Sequence, residues 1–432
     1  MELFHLVQST LLTVAFVAAL WLLLVALRGR MRRSDPMWVV FVIALAIRVP
    51  LAIGVYHVLP HDWLDVDWRT YEGTAREVAQ SGDLDRVLGA GYAFRAHGLT
   101  NTAVFWLIGF QPIFLRIMSA ALGAFTCALL YLLLEHLSHR PRAAQFGALV
   151  VTVWPTFIAW SMTNSKEMFV AAAATGMFYC ALSLSRRFRP VVAVVMVGLA
   201  VLLAIYRIYL IVLIAPVALI YVIVLWTRSA KNRQLALLTA AIATVAVMAP
   251  VLVMMRTIVF KYFNPENGLA AINVFRMAVA RGGSALPIEP FGSITDLILH
   301  IPVGTAWYFL RPYPWDIGGI NQTLGAVMML VFYPFLVIAI LSIPRLWNAD
   351  RAFTAFIIAQ TLVLAAAYGV LEGNLGSLMR HRIPTTILIL GIGATYLVVR
   401  LSERLQQRAS TEERTPRPSP SGDAEPIGGT TG

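Results

Sequence analysis

Long apolar runs separated by short polar connections restrict how this chain folds more than any other feature. About 20 apolar residues in a helix span the roughly 30 Å hydrocarbon core of a bilayer. Runs of about this length occur at residues 6–27, 37–57, 112–134, 144–161, 167–184, 190–206, 209–226, 235–255, 322–342, 352–371 and 384–401. The sequence therefore predicts an all-α polytopic membrane protein with about 11 transmembrane helices, within a range of about 9 to 13.

Composition agrees with this prediction. Residues of the hydrophobic set make up 59% of the chain and charged residues only 13%, whereas a soluble domain has about 25% charged residues. A soluble enzyme, a disordered chain and a fibrous protein are excluded. Shorter apolar stretches at 102–110, 270–281 and 294–310 are typical of interfacial or re-entrant helices.

The basic residues predict the orientation of the chain. The formal net charge is +12, and much of the basic excess lies in five short loops that alternate along the sequence, at residues 28–33, 140–142, 186–189, 228–233 and 345–351. By the positive-inside rule these loops are cytoplasmic. The N-terminus is then outside and the C-terminus inside, and no nucleic-acid partner is predicted.

This orientation divides the chain into three parts. Residues 1–36 form an extra N-terminal helix and a cytoplasmic loop, and we expect this helix to be retained because no cleavage site is recognisable. Residues 37–402 form the transmembrane domain, with two long external segments at about 58–100 and 256–321. Residues 403–432 are expected to form a disordered cytoplasmic tail, since this segment is rich in Pro, Ser, Gly and charged residues. Because both long loops are external, the working surface is predicted to be extracytoplasmic.

The first external segment is acidic. Asp67, Tyr71 and Ala75 are spaced four apart, which places them on one face of a helix. Asp67 is either a simple helix N-cap or, with Asp65 nearby, a base that takes a proton from a hydroxyl group. The spacing leaves both roles open.

Several cations lie on the predicted outer face, where the positive-inside rule disfavours them. They are Lys166 in the turn Trp154 to Glu167, Arg207 between two tyrosines, and the run Arg380, His381, Arg382 before the last helix. Lys166 either binds a phosphate or snorkels to the interface, beside a Glu167 favoured by the helix dipole. Arg207 is explained equally well by a tight turn or by a lipid phosphate, while the Arg380 run favours an anionic partner.

Other features carry less information. Arg311 and Trp315 end the second external segment, where Trp315 either stacks on a sugar or belongs to the aromatic belt. Arg48 and Arg116 lie inside apolar runs and are expected to pair with carboxylates, Asp67 being one candidate. Both cysteines sit in apolar runs, and no metal site is predicted, although a divalent ion is possible as a cofactor.

Together these motifs resemble the GT-C superfamily of integral-membrane glycosyltransferases, particularly bacterial members related to the protein mannosyltransferase and aminoarabinose transferase groups. The resemblance rests on the acidic loop with Asp67-x-x-x-Tyr71-x-x-x-Ala75, the run from Leu115 to Ala124, the hairpin from Trp154-Pro155 to Lys166-Glu167, and Arg380-His381-Arg382-x-Pro384. It extends over about residues 37–225.

The resemblance implies an inverting glycosyltransferase that moves a sugar from a polyprenyl-phosphate carrier to an extracytoplasmic glycan, lipid or protein. Asp67, or alternatively Asp65, would deprotonate the acceptor hydroxyl. Lys166, Arg207, Arg380, Arg382 and His381 would contact the lipid phosphate, and Tyr71, Glu167, Arg311 and Trp315 would position substrates. A flippase or transporter of a lipid-linked saccharide, or an oligosaccharide polymerase or ligase, is the alternative. Because no internal repeat is recognisable and acids concentrate in the loops, the sequence favours an enzyme.

Overall fold

The computed structural model describes residues 2–29, 35–59, 69–89, 92–186, 189–207, 267–316 and 319–414, and isolated positions between 210 and 238. The helices of the first half are α1 (Glu2–Arg28), α2 (Pro36–Val58), α3 (Thr74–Ser81), α4 (Asp85–Leu88), α5 (Tyr92–Ile108), α6 (Pro112–Ser138), α7 (Pro141–Thr152), α8 (Pro155–Ser161), α9 (Glu167–Arg186) and α10 (Pro190–Tyr206). Those of the second half are α11 (Gly268–Val279), α12 (Ile294–Leu310), α13 (Ile320–Leu341), α14 (Ile343–Ala349), α15 (Arg351–Leu371), α16 (Leu375–His381) and α17 (Ile383–Arg414).

The prediction of an all-α polytopic membrane fold is confirmed. Within the described ranges, seven helices are long and apolar enough to span a membrane, and α7 with α8 form an eighth candidate that bends by 63°. The predicted spans at 209–226 and 235–255 lie largely outside the described residues. The stretches predicted to be interfacial fall in α5, α11 and α12.

Helix α6 is the centre of the bundle, since almost all of its side chains are buried. It packs against α1, α2, α7 and α9. Small residues bring α2 and α6 close together: Ala52 packs near Ala120, and a Cβ on Gly123 would lie 3.0 Å from Nε of Arg48. The glycine therefore leaves the space that the Arg48 side chain fills.

Ion pairs join the helices at the end predicted to be cytoplasmic. The Arg28 guanidinium at the end of α1 lies 2.8 Å from the Asp35 carboxylate and also pairs with Glu135 on α6. Arg345 donates to Glu403 at 2.7 Å. Because α17 continues to Arg414, the first part of the predicted tail is helical.

We call the opposite end of the bundle, where α2 and α10 end and α6 and α9 begin, the site end. The second long segment is attached there by backbone hydrogen bonds. The amide of Leu286 donates to the Gly373 carbonyl, and the amide of Leu375 donates to the Ser284 carbonyl, both at 2.8 Å. This attachment places the segment beside α16, which carries Arg380.

Candidate functional site

A buried carboxylate with several cations around it is the main feature of the site end. Glu167 begins α9, where the helix dipole favours an anion. Its carboxylate accepts a hydrogen bond from Arg207, the residue directly after α10, and lies 3.2 Å from Nε of Arg380 on α16. Lys166, which also acts electrostatically on Glu167, is buried and lies over the Phe94 ring.

The charges in this cluster do not balance. Among the described residues, Lys166, Arg207 and Arg380 carry three positive charges, whereas Glu167 and Glu372, the partner of the neutral His381, carry two negative charges. An excess of positive charge in a poorly solvated place is costly unless an anion binds there. The geometry thus brings four of the sequence-predicted site residues together in a place where a bound anion would be favourable.

His381 lies beside this cluster but has its own carboxylate partner. Its Nδ1 pairs with Glu372, the residue that ends α15, and its ring stacks on Tyr368 with centroids 5.0 Å apart. Burial, and then the positive charge of Arg207, lower the pKa of His381. The imidazole is therefore neutral at neutral pH, and His381 adds no charge to the cluster.

Arg382, Arg311 and Trp315 form a separate group at the end of α12. Arg382 donates to the Tyr308 carbonyl at 3.2 Å and to the Arg311 carbonyl, so that it holds the end of α12 against α16. The Arg311 guanidinium lies 4.0 Å from the centre of the Trp307 ring, and Trp315, highly exposed, stacks on Tyr313. Within the described residues, no hydrogen bond or ion pair joins this group to Glu167.

A second polar network starts in the first external segment. Arg69–Gly73 forms one π-helical turn, a conformation frequent at functional sites. Glu72 in this turn accepts hydrogen bonds from Arg116 on α6 at 2.6 Å and from Asn164 at 3.2 Å. His97 on α5 contacts Oδ1 of Asn164 at 2.9 Å. Since Asn164 stands two residues before Lys166, the network adjoins the cation cluster.

Tyr71 lies in the same π-helical turn. Its buried ring packs edge-on against the His97 ring, with centroids 4.6 Å apart. The predicted helix face that Tyr71 shares with Ala75 is buried. Asp65 and Asp67 lie outside the described residues, so their role as the base stays a prediction.

The two membrane arginines differ. Arg116 pairs with a carboxylate as expected, but the partner is Glu72. Arg48 donates to the Ala44 carbonyl at 3.4 Å and lies over the Phe157 ring, with no carboxylate partner in the described part of the chain. No group of three or more His, Cys, Asp or Glu side chains suited to a metal ion occurs within those residues either.

Part of the chain matches a known protein family. Residues 98–254 match the family model of dolichyl-phosphate-mannose-protein mannosyltransferases. This is a GT-C type glycosyltransferase family, so the resemblance predicted from the sequence is confirmed. No curated protein and no solved structure matches the chain. The match indicates glycosyltransferase chemistry in a multi-pass membrane protein.

The matched segment contains only part of the site. Lys166, Glu167 and Arg207 lie within it, and so do Arg116 and Asn164 of the second network. Arg380 lies outside it and reaches the cluster through the fold.

Sequence reasoning missed Glu72, His97 and Glu372 as members of the site. Glu72 is one of seven acids in its segment, and nothing in the local pattern separates it from the others. Arg116, which lies in an apolar run, indicated that one acid of this segment pairs with it. The sequence did not indicate which of the seven acids is the partner.

Proposed function

We propose that this protein transfers a sugar from a polyprenyl-phosphate donor to an acceptor outside the cytoplasm, with inversion at the sugar carbon. The observation that carries the proposal is the cluster of Arg207, Arg380 and Lys166 around Glu167 at one end of an apolar bundle, where these cations outnumber the described carboxylates Glu167 and Glu372. A phosphate attached to a lipid chain meets both requirements, because its charge matches the cluster and its chain matches the membrane.

The cations have a specific part in the proposed reaction. When the bond between the sugar and the phosphate breaks, the leaving phosphate gains negative charge. Fixed guanidinium and ammonium groups lower the barrier because they stabilise this developing charge in a site of low dielectric. Glu167 holds Arg207 and Arg380 in position before the donor binds. Glu167 is therefore a positioning residue in this proposal.

The acceptor hydroxyl loses its proton to Asp67 or Asp65 in the proposed mechanism. A carboxylate is an adequate base when it lies within hydrogen-bond reach of the hydroxyl as that oxygen attacks. The buried pair of Glu72 with Arg116 anchors the chain just after these acids to α6. Attack from the side opposite the phosphate inverts the sugar carbon in one displacement.

Transfer in proteoliposomes tests the proposal. With a polyprenyl-phosphate sugar and envelope acceptors, Asp67→Asn or Asp65→Asn is expected to abolish transfer while donor binding persists, and Arg380→Gln is expected to weaken donor binding. Asp85→Asn, an exposed acid in the same segment, is the matched control and should leave transfer unchanged. Full activity in both Asp65→Asn and Asp67→Asn would refute the assignment of the base, and translocation of the donor without transfer would favour a flippase.

The proposed orientation has an independent test. Cys127 and Cys180 are the chain's two cysteines, and both are buried. A cysteine introduced at Trp315 should react in intact cells with a membrane-impermeant maleimide, and one introduced at Glu403 should react only after lysis. The reverse pattern would place the site end in the cytoplasm.

A further inference from the structure

Helix α5 has a buried face that is polar over one half. Its apolar half contains Phe105 and Ile108, while the other half contains His97, Asn101 and Thr102, all of them fully buried. A buried polar group is costly unless it forms hydrogen bonds. The hydrogen-bond partners of these three side chains therefore indicate whether the polar half of the face serves the fold or binds a ligand.

His97 has one nitrogen in use and one available. Asn164 donates through its Nδ2 to Glu72, so its Oδ1 is an acceptor, and His97 Nε2 must carry the hydrogen that it donates to that oxygen at 2.9 Å. Nδ1 is then an acceptor, and it has no hydrogen-bond partner in the part of the chain that the structure describes. Burial lowers the pKa of His97 to about 4, so the ring is neutral at physiological pH.

Asn101 lies one helical turn further along α5, and its side-chain amide has no hydrogen-bond partner among the described residues. Both its amide oxygen and its amide nitrogen are buried without a hydrogen bond. The neighbouring threonines are satisfied: Thr102 donates to the Gly98 carbonyl at 2.8 Å, and Thr100 pairs with the Tyr206 hydroxyl at 2.7 Å. An apolar side chain at 101 would thus be more favourable for folding alone.

The unpaired groups lie next to the cation cluster. Phe94, which precedes His97 by about one turn, lies under the Lys166 ammonium at 5.6 Å. Tyr206, which holds Thr100, directly precedes Arg207. A phosphate bound by Lys166 and Arg207 would therefore place the sugar attached to it close to this half of α5.

The chemistry of the face fits a sugar better than an ion. His97 offers an acceptor, and Asn101 offers donors and an acceptor, with no charge on either side chain. Aromatic rings surround them: Tyr71 packs on His97, and Phe169 stacks on Tyr206 with centroids 4.4 Å apart. Neutral hydrogen-bonding groups beside aromatic rings suit a ring that carries hydroxyl groups on an apolar frame.

We propose that His97 and Asn101 bind hydroxyl groups of the sugar that is transferred. This assignment rests on the proposed function, since it places the sugar of the donor next to the phosphate site. The His97 and Asn101 side chains are fully covered in the structure. The bound sugar therefore displaces the Tyr71 ring, which now packs against His97.

Stability and activity should respond to Asn101→Leu in opposite directions. The substitution removes an amide without partners, so the midpoint of thermal unfolding in detergent should rise, while donor turnover falls because KM for the donor increases. A lower midpoint would overturn the proposal, because it would show that the amide is satisfied within the fold. His97→Phe is the second variant, and its donor KM should also rise.

Two matched controls separate this site from buried polar groups in general. Gln360 on α15 is also a fully buried amide with no hydrogen-bond partner in the described ranges, and Gln360→Leu should raise the midpoint with transfer unchanged. Thr102→Val, on the same turn of α5, removes a hydroxyl that is already satisfied and should not alter KM for the donor. A loss of transfer in Gln360→Leu equal to that in Asn101→Leu would overturn the proposal.

Binding of two lipids distinguishes this proposal from the proposed function. The probes are dolichyl phosphate and the tightest-binding of its mannosyl, glucosyl and galactosyl esters. Asn101→Leu should weaken binding of the sugar-bearing lipid about tenfold, the value of roughly one lost hydrogen bond, and leave dolichyl phosphate unaffected, whereas Arg380→Gln should weaken both. Equal effects of Asn101→Leu on the two lipids would overturn the sugar site alone. Failure of the wild type to bind either lipid would overturn the proposed function and the sugar site with it.

Discussion

Replacement of Arg207 by methionine should destabilise the protein strongly. The Arg207 and Glu167 side chains are only 2% and 3% exposed, so solvent screens their interaction little. Removal of one partner from a buried ion pair costs about 3–5 kcal/mol, because the other charge stays buried. Arg380 still lies 3.2 Å from Glu167, which places the expected loss near the lower value, about 3 kcal/mol.

The double variant Arg207→Met with Glu167→Gln should recover most of this loss. Both charges are then absent, and Arg380, which is 26% exposed, keeps access to water. The loss of its interaction with Glu167 should cost at most about 1 kcal/mol. We therefore expect a coupling free energy of at least about 2 kcal/mol in the double-mutant cycle.

Reversible unfolding in mixed dodecyl maltoside and SDS micelles, followed by circular dichroism, measures these free energies. The matched control is the pair Arg345 and Glu403, at 2.7 Å but with side chains 43% and 35% exposed, where the same substitutions should cost less than about 1 kcal/mol. If Arg207→Met costs no more than Arg345→Met, the buried pair does not contribute as its geometry requires. The double variant should also fail to bind donor although it is folded.

Three further results are expected. Gly369→Ala should lower the free energy of unfolding by about 1–3 kcal/mol, because a Cβ at this position would overlap the Gly304 backbone. Gly198→Ala, where a Cβ would meet open space, should be neutral or stabilising, and thermal unfolding of both variants checks this. The free energy of unfolding should fall by up to about 3 kcal/mol as the pH drops from 6.5 to 4, because His97 takes up a proton in the unfolded state but not in the buried, folded state. A shallower fall in His97→Gln over the same pH range would show that His97 is the source. Arg382→Met should loosen the end of α12, seen as faster hydrogen exchange there.

Most of the transmembrane helices could be predicted from the sequence because an apolar run of sufficient length usually produces one helix. The run at 144–161 is an exception, since it forms α7 and α8, which are bent by 63°. The cations Lys166, Arg207 and Arg380 could also be singled out, since each stands where the charge pattern disfavours it. Their convergence on Glu167 could not be predicted, because it depends on how α9, α10 and α16 pack. A local sequence pattern shows that a charge is unfavourable at a position, but it does not show which residue pairs with that charge.

His97 and Asn101 show the same limit from the other direction. The spacing of α5 places them on one face, and a polar residue on a buried face is normally satisfied by a neighbour. The Thr102 hydroxyl bonds to the Gly98 carbonyl of its own helix, but only the packed structure shows that the Asn101 amide meets no partner among the described residues. The sequence therefore identifies charged residues at positions where a charge is unfavourable. The structure identifies buried polar groups that lack a hydrogen-bond partner among the described residues.

The charges at the site end also explain why a carboxylate stands among cations meant for a phosphate. Without Glu167, Arg207 and Arg380 would repel each other and turn away while the site is empty. With it they are held in place, and among the described residues the three cations exceed the carboxylates Glu167 and Glu372 by one positive charge. In the proposed reaction the bound donor phosphate carries one negative charge and the leaving phosphate two, so the attraction increases as the bond breaks. The cluster thus stabilises the transition state more than the bound donor, which is the condition for an increase in kcat.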